Sequence, residues 1–132
     1  MYLEEKYIYH VSPSFNGESI KQNGFLPTNQ SCGRFEGNWI YFTLGSYVCD
    51  HRFALSILTR GLRVVKGKDS LQNFDLWTVY KLRTPTSIDF QLDPEGTNGQ
   101  FVRTQQMVPY FYVCRQVTLD LRNKRAFWNF NL

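Results

Sequence analysis

The chain has 132 residues, of which 42% are hydrophobic and 20% charged, and its formal net charge is +4. That length suits one domain over residues 1–132 with a modest core, and the composition argues against disorder. With no apolar run near the roughly 18–20 residues of a membrane span, a membrane partner is not expected. Aromatic residues stand out, with 11 Phe, 8 Tyr and 3 Trp. Such a chain packs with rings, and rings suit β-strands. The segment Met1 to Lys6 is acidic and runs into no apolar stretch, so it does not read as a secretory signal. The expectation is a cytoplasmic protein, with delivery to a target cell by a machine that needs no cleaved signal left open. The mild excess of Lys and Arg favours acidic partners without naming one.

Tyr7 to Val11 is β-branched and aromatic and predicts a first strand, ended by Pro13. Phe15 to Asn23 predicts a short helix with Ser14 as its cap and Gly24 just past its end. Phe25-Leu26-Pro27 returns toward the core, and Thr28 to Asn38 reads as a loop. Trp39 to Thr43 predicts a second strand. Ser46 opens a second helix running to about Arg60 and stopped by Gly61, with Val48, Leu55 and Leu58 on its core face. Leu62 to Val65, Leu76 to Leu82, Ile88 to Leu92, Phe101 to Thr104, Tyr110 to Leu119 and Ala126 to Phe130 read as further strands. Asp93 to Gly99 reads as a loop, and Arg122 to Lys124 as a hairpin turn. Two helices against many mostly antiparallel strands make an α+β domain.

Three cysteines, Cys32, Cys49 and Cys114, are odd in number and have no C-x-x-C spacing. With only His10 and His51 beside them, neither a disulfide framework nor a metal centre is expected. The glycine-rich phosphate-binding motifs and the G-x-S-x-G nucleophile elbow are missing.

An ordered set of segments is present instead. Tyr9-His10-Val11-Ser12 closes the first strand. Ser19-Ile20-Lys21-Gln22-Asn23-Gly24-Phe25-Leu26-Pro27 follows, then Trp39-Ile40-Tyr41-Phe42-Thr43 before a helix. The set resembles the ADP-ribosyltransferase superfamily of the diphtheria-toxin and poly(ADP-ribose) polymerase type. Its members carry a Tyr-His-Gly-Thr/Ser strand, a short helix ending in Gly-(Leu/Phe)-x-Pro, and an Ile-Tyr-(Phe/Leu) strand. Gln100 to Gln106 is similar to a later segment of the small rifamycin-modifying members, and the DNA-modifying toxin members share the first two pieces. The likeness runs over residues 7–55, extends more loosely over 76–115, and stops there.

The resemblance implies a split of two small, mostly antiparallel sheets with two helices, and NAD as a substrate bound bent between them. The implied activity is mono-ADP-ribosyl transfer to a protein, nucleic-acid or small-molecule acceptor, as in an effector or toxin, for which an antitoxin or immunity protein would be a partner. His10 would bond the adenosine ribose, the Val11 backbone would meet the nicotinamide amide, and Ser12 would contact ribose. Tyr41 would line the nicotinamide pocket, with Phe53 or Tyr47 as a second ring. Arg103 and Arg34 would hold the pyrophosphate or the target. Gln100 stands where the family places a catalytic glutamate, and Val11 where it prefers glycine. Asp89 is the substitute carboxylate among Asp89, Asp93 and Glu95. The uncharged Gln100 keeps two alternatives open. One is a non-catalytic module on the same scaffold that binds ADP-ribose, a nucleotide or nucleic acid. The other is an RNA phosphate-handling enzyme related to the tRNA 2′-phosphotransferases, drawing on Arg34, Arg52, Arg60 and Arg103.

Overall fold

A computed structural model describes residues 6–30, 37–44, 76–92 and 101–120. The first strand, β1 (Tyr7–Pro13), runs two residues beyond its predicted end. Its Ile8 and Tyr9 are both buried, so the strand is covered on both faces. A 3-10 turn at Ser14–Asn16 leads into α1 (Gly17–Asn23). Ser14 is not the cap expected of it. The residue before α1 is Asn16, which makes no side-chain capping bond. The Ser14 hydroxyl instead meets the Thr78 hydroxyl at 2.8 Å and ties the turn to the sheet.

Gly24 ends α1 as predicted, at φ 79° and ψ −174°. That region of backbone space is essentially glycine's own. A Cβ there would stand 2.7 Å from the Val108 carbonyl oxygen and 2.8 Å from the Met107 sulfur. The tight turn aims Phe25 into the core, where reciprocal backbone bonds of 2.8 and 3.0 Å pin it to Val108.

The stretch read as a loop over residues 28–38 contains a short strand, β2 (Thr28–Gln30), paired with the start of β3 (Gly37–Leu44). Polar residues without an apolar period gave no sign of it, because its partner supplies the order. The strands β4 (Leu76–Arg83), β5 (Gln91–Leu92) and β6 (Phe101–Thr104) fall where expected, with β5 shorter than predicted. The segment predicted as one strand from Tyr110 divides into a 3-10 turn at Tyr110–Tyr112 and β7 (Val113–Asp120). Pro109, extended at φ −61°, sets the chain up for that turn. The second predicted helix and the strands at Leu62 to Val65 and Ala126 to Phe130 lie outside the described residues.

The α+β reading holds at this level: the described pairings are antiparallel, and α1 packs Ile20 into the core. The two separate small sheets expected from the resemblance are, among the described residues, one connected sheet in the order β5-β6-β3-β1-β4-β7, with β2 on β3. Its connection is uneven. β1 pairs with β4 along its whole length, from Tyr7 opposite Arg83 to Pro13 opposite Trp77. β1 pairs with β3 only at Ile8–Leu44 and Tyr9–Thr43. Beyond those two pairs β3 continues against β6, from Thr43 opposite Phe101 to Ile40 opposite Thr104. The sheet therefore forks, with β1-β4-β7 on one arm and β3-β6-β5 on the other.

Side chains alternate across a strand. Ile8, Ile40, Phe42, Leu44, Tyr80 and Leu82 share the face that receives α1, Phe25 and Phe90 and forms the core. Odd-numbered residues of β1, β3, β4 and β6 occupy the opposite face, where Tyr9, Trp77 and Val79 are also buried.

Candidate functional site

The fork between β1 and β3 is bridged by a side chain. His10 lies just past the last β1–β3 pair, and its Nδ1 is 2.8 Å from the Tyr41 carbonyl oxygen. A carbonyl can only accept, so Nδ1 carries the hydrogen and Nε2 of the neutral ring is an acceptor. The imidazole packs edge-on against Phe25 at 5.2 Å and tilts over Phe42 at 5.3 Å. Desolvation between these rings pushes the His10 pKa below its ordinary 6.5, outweighing the bond to Tyr41, which favours the charged form. The result is a neutral imidazole of fixed tautomer at the mouth of a fork.

Ser12 follows two residues on and shares the His10 face. It is buried; its hydroxyl accepts from the Asn16 amide at 3.0 Å and donates to the Pro13 carbonyl at 3.5 Å. Ser12 thus holds the turn leaving β1. Val11 lies between them with its side chain on the opposite face, directly across from Val79.

Tyr41 meets His10 through its backbone alone. Phe42 shares the His10 face, so alternation along β3 puts the Tyr41 ring on the other side of the sheet. There Tyr41 lies opposite Arg103 of β6. The Arg103 guanidinium stacks 3.9 Å from the centre of the Trp39 ring, the next residue of β3 on that face. Arg103 has no acidic partner among the described residues, and its buried Nε has no hydrogen-bond partner. An arginine flattened on an indole, with no carboxylate against it among the described residues, is a donor group for phosphate or carboxylate.

The proposed carboxylate substitute, Asp89, is exposed just before β5, where its backbone N–H donates to the Gln106 side chain at 2.9 Å. Phe42 and Phe90, 5.8 Å apart between ring centres, separate this segment from His10. Gln100, Tyr47 and Phe53, with Asp93 and Glu95, lie outside the described residues, as do Arg34, Arg52 and Arg60. The fold therefore brings together His10, Ser12 and the Tyr41 backbone on one face, and Tyr41, Trp39 and Arg103 on the other. Trp39 and Asn16 were missed from the sequence. Trp39 had a readable signal, since it stands two residues before Tyr41 and must share its face.

These features define an antiparallel α+β sheet that forks around a histidine. No family model matches the chain, and no curated protein matches it. Among solved structures it is similar to one named EcPltA, with a TM-score of 0.54 and 12% identical residues, over 87% of this chain and 76% of that one. At that identity the likeness is one of fold. No described helix is long and apolar enough to cross a membrane.

Proposed function

We propose that the chain is an NAD-dependent mono-ADP-ribosyltransferase with the split-sheet architecture of that superfamily, and that NAD threads the fork between β1 and β3. The observation that carries this reading is the His10 bridge to the Tyr41 carbonyl at the point where the β1–β3 ladder stops. It presents a hydrogen-bond acceptor, Nε2, in one tautomer beside main chain of β1 that no longer pairs with β3. A ribose hydroxyl donates to such a nitrogen, and an amide such as nicotinamide's pairs with strand backbone at Val11. A bent dinucleotide lying in the fork meets His10 on one side of the sheet and Tyr41 on the other. Arg103, supported by Trp39, takes a phosphate.

In the reaction the bond from nicotinamide to ribose C1′ breaks, and its electron pair stays on the nicotinamide nitrogen. The acceptor nucleophile bonds to C1′ and gives up its proton. Positive charge builds on the ribose in the transition state, and positioned polar groups lower the barrier. His10 anchors the adenosine ribose, and the bent dinucleotide held there fixes where C1′ of the nicotinamide ribose meets the acceptor. Incubation with adenine-labelled NAD and a cell lysate is expected to release nicotinamide and transfer label. His10→Ala should lower the rate about 100-fold or more. If the wild-type chain gives neither nicotinamide nor transferred label, this reading is lost.

A second reading, a module that binds ADP-ribose, a nucleotide or nucleic acid without turnover, is favoured by one specific observation. Gln100 supplies no charge where a carboxylate would face the developing cation. Calorimetry showing NAD or ADP-ribose binding without nicotinamide release would select it. Activity gained by Gln100→Glu would then mark a degenerate enzyme.

A further inference from the structure

Past its last β3 pair, β1 ends in a small polar knot on the His10 face. Ser12 and Thr78 lie directly opposite each other in the β1–β4 ladder, and both are buried. The 3-10 turn at Ser14–Asn16 reaches back over this rung with two side chains. The Ser14 hydroxyl meets the Thr78 hydroxyl at 2.8 Å, and Thr78 also bonds the Tyr80 phenol. Asn16 takes the other end of the rung, its Nδ2 donating to the Ser12 oxygen at 3.0 Å. The Ser12 hydrogen is left with the carbonyl of its neighbour Pro13, 3.5 Å away. An ordinary O–H···O bond is about 2.7–2.8 Å long, so this buried donor is poorly used, and buried donors are rarely left so. Asn16 is unusual too. Asparagine is favoured just before a helix because its side chain caps free N–H groups. Asn16 holds that place before α1 and makes no capping bond; its amide serves Ser12 instead.

We propose that Asn16 is a positioning residue: by donating to the Ser12 oxygen, it keeps the Ser12 hydrogen for a ribose oxygen of the bound dinucleotide. The proposal rests on the reading that NAD occupies the fork. An asparagine can meet a serine with either polarity. Its carboxamide oxygen would capture the hydroxyl hydrogen, whereas its N–H leaves that hydrogen to be given elsewhere. The N–H arrangement is the one present. Ser12 lies two residues beyond His10 on the same face, roughly 7 Å along the strand. Nε2 of His10 presents an acceptor and Ser12 a donor, so this end of β1 offers both polarities to one ligand. A ribose oxygen that replaces the 3.5 Å contact with a bond of ordinary length gains from the exchange. Thr78 does not compete, since its hydroxyl is engaged by Ser14 and Tyr80. Asn16 acts through Ser12 alone.

The test is a double-mutant cycle on the full chain, with NAD affinity read by calorimetry and stability by urea denaturation. Asn16→Asp keeps the size of the side chain and suits the start of a helix at least as well, but its carboxylate only accepts. It should turn the Ser12 hydrogen away from the ligand and weaken NAD binding about tenfold, with the urea midpoint unchanged or raised. Ser12→Ala removes the donor and should cost a similar factor. The carboxylate also brings a negative charge, and the cycle separates that effect: in the Ser12→Ala background, Asn16→Asp should cost less than about twofold. Equal losses in both backgrounds would assign the effect to charge and overturn the role of Asn16. So would unaltered affinity in Asn16→Asp, or an affinity loss that follows a falling urea midpoint. A wild-type chain that binds no NAD would instead remove the fork reading on which the proposal stands.

Discussion

His10 shows how one residue's surroundings set its chemistry. Its ring is desolvated by Phe25 and Phe42, which disfavours the imidazolium and lowers its pKa below 6.5. The linkage follows directly. Above pH 6.5 the ring is neutral in both the folded and unfolded chain and contributes no slope. Below 6.5 the unfolded chain takes up a proton that the folded chain resists, so stability falls until the pH reaches the folded value. Chemical denaturation of wild type and His10→Gln across pH 5 to 8 should therefore differ in slope only below about pH 6.5. Parallel curves throughout that range would mean that the ring is not desolvated. Gly24 is the second residue whose setting decides its identity. Gly24→Ala puts a Cβ against the Val108 carbonyl and imposes a backbone conformation reserved for glycine. We expect a loss of about 2 kcal/mol by urea denaturation. A loss below about 0.5 kcal/mol would show that the turn relaxes freely.

At the scale of elements, strands with strong patterns were readable and relationships between strands were not. β1, β3, β4 and β6 follow from β-branched and aromatic runs, and the turn at Gly24 from a glycine past a short helix. β2 escaped because Thr28–Gln30 is polar and owes its extension to pairing with Trp39, Asn38 and Gly37. The break at Tyr110 escaped because a 3-10 turn of Tyr-Phe-Tyr has the composition of a strand. The candidate site divides in the same way. His10 and Tyr41 were legible as types at strand positions, but the β1–β3 register that sends their rings to opposite faces is a relationship between strands. The contact of Arg103 with Trp39 depends on register between β3 and β6, and a single sequence does not encode register locally. Pairing also sets the rigidity of each strand. β4 is paired on both sides and has four consecutive buried residues, Trp77 to Tyr80. β5 is two exposed residues long. Hydrogen exchange should protect the β4 amides to near the global unfolding free energy and leave Gln91–Leu92 exchanging far faster. Comparable protection of the two would contradict this arrangement.

For the molecule as a whole, the fork poses a mechanical question: what joins its arms? Two residue pairs and the His10 bond are the described direct links between β1 and β3. Phe25 supplies the rest. Its ring meets His10 of β1 at 5.2 Å, Phe42 of β3 at 5.9 Å and Tyr80 of β4 at 5.3 Å. It is 1% exposed and held from behind by the Val108 backbone. A ring anchored to a third segment and touching both arms couples them as pairing alone does not. Phe25→Ala removes it and leaves a cavity beside the imidazole. The cost should be about 3–5 kcal/mol, read from denaturant midpoints. The same substitution admits water to His10, so its pKa should rise toward 6.5, followed by NMR of the ring Cε1–H. With only two histidines in the chain, the signal is assignable by comparison with His51→Gln. A stability loss without movement of the His10 titration would mean that Phe25 supports the core but does not seal the fork, and that Phe42 alone keeps the imidazole dry.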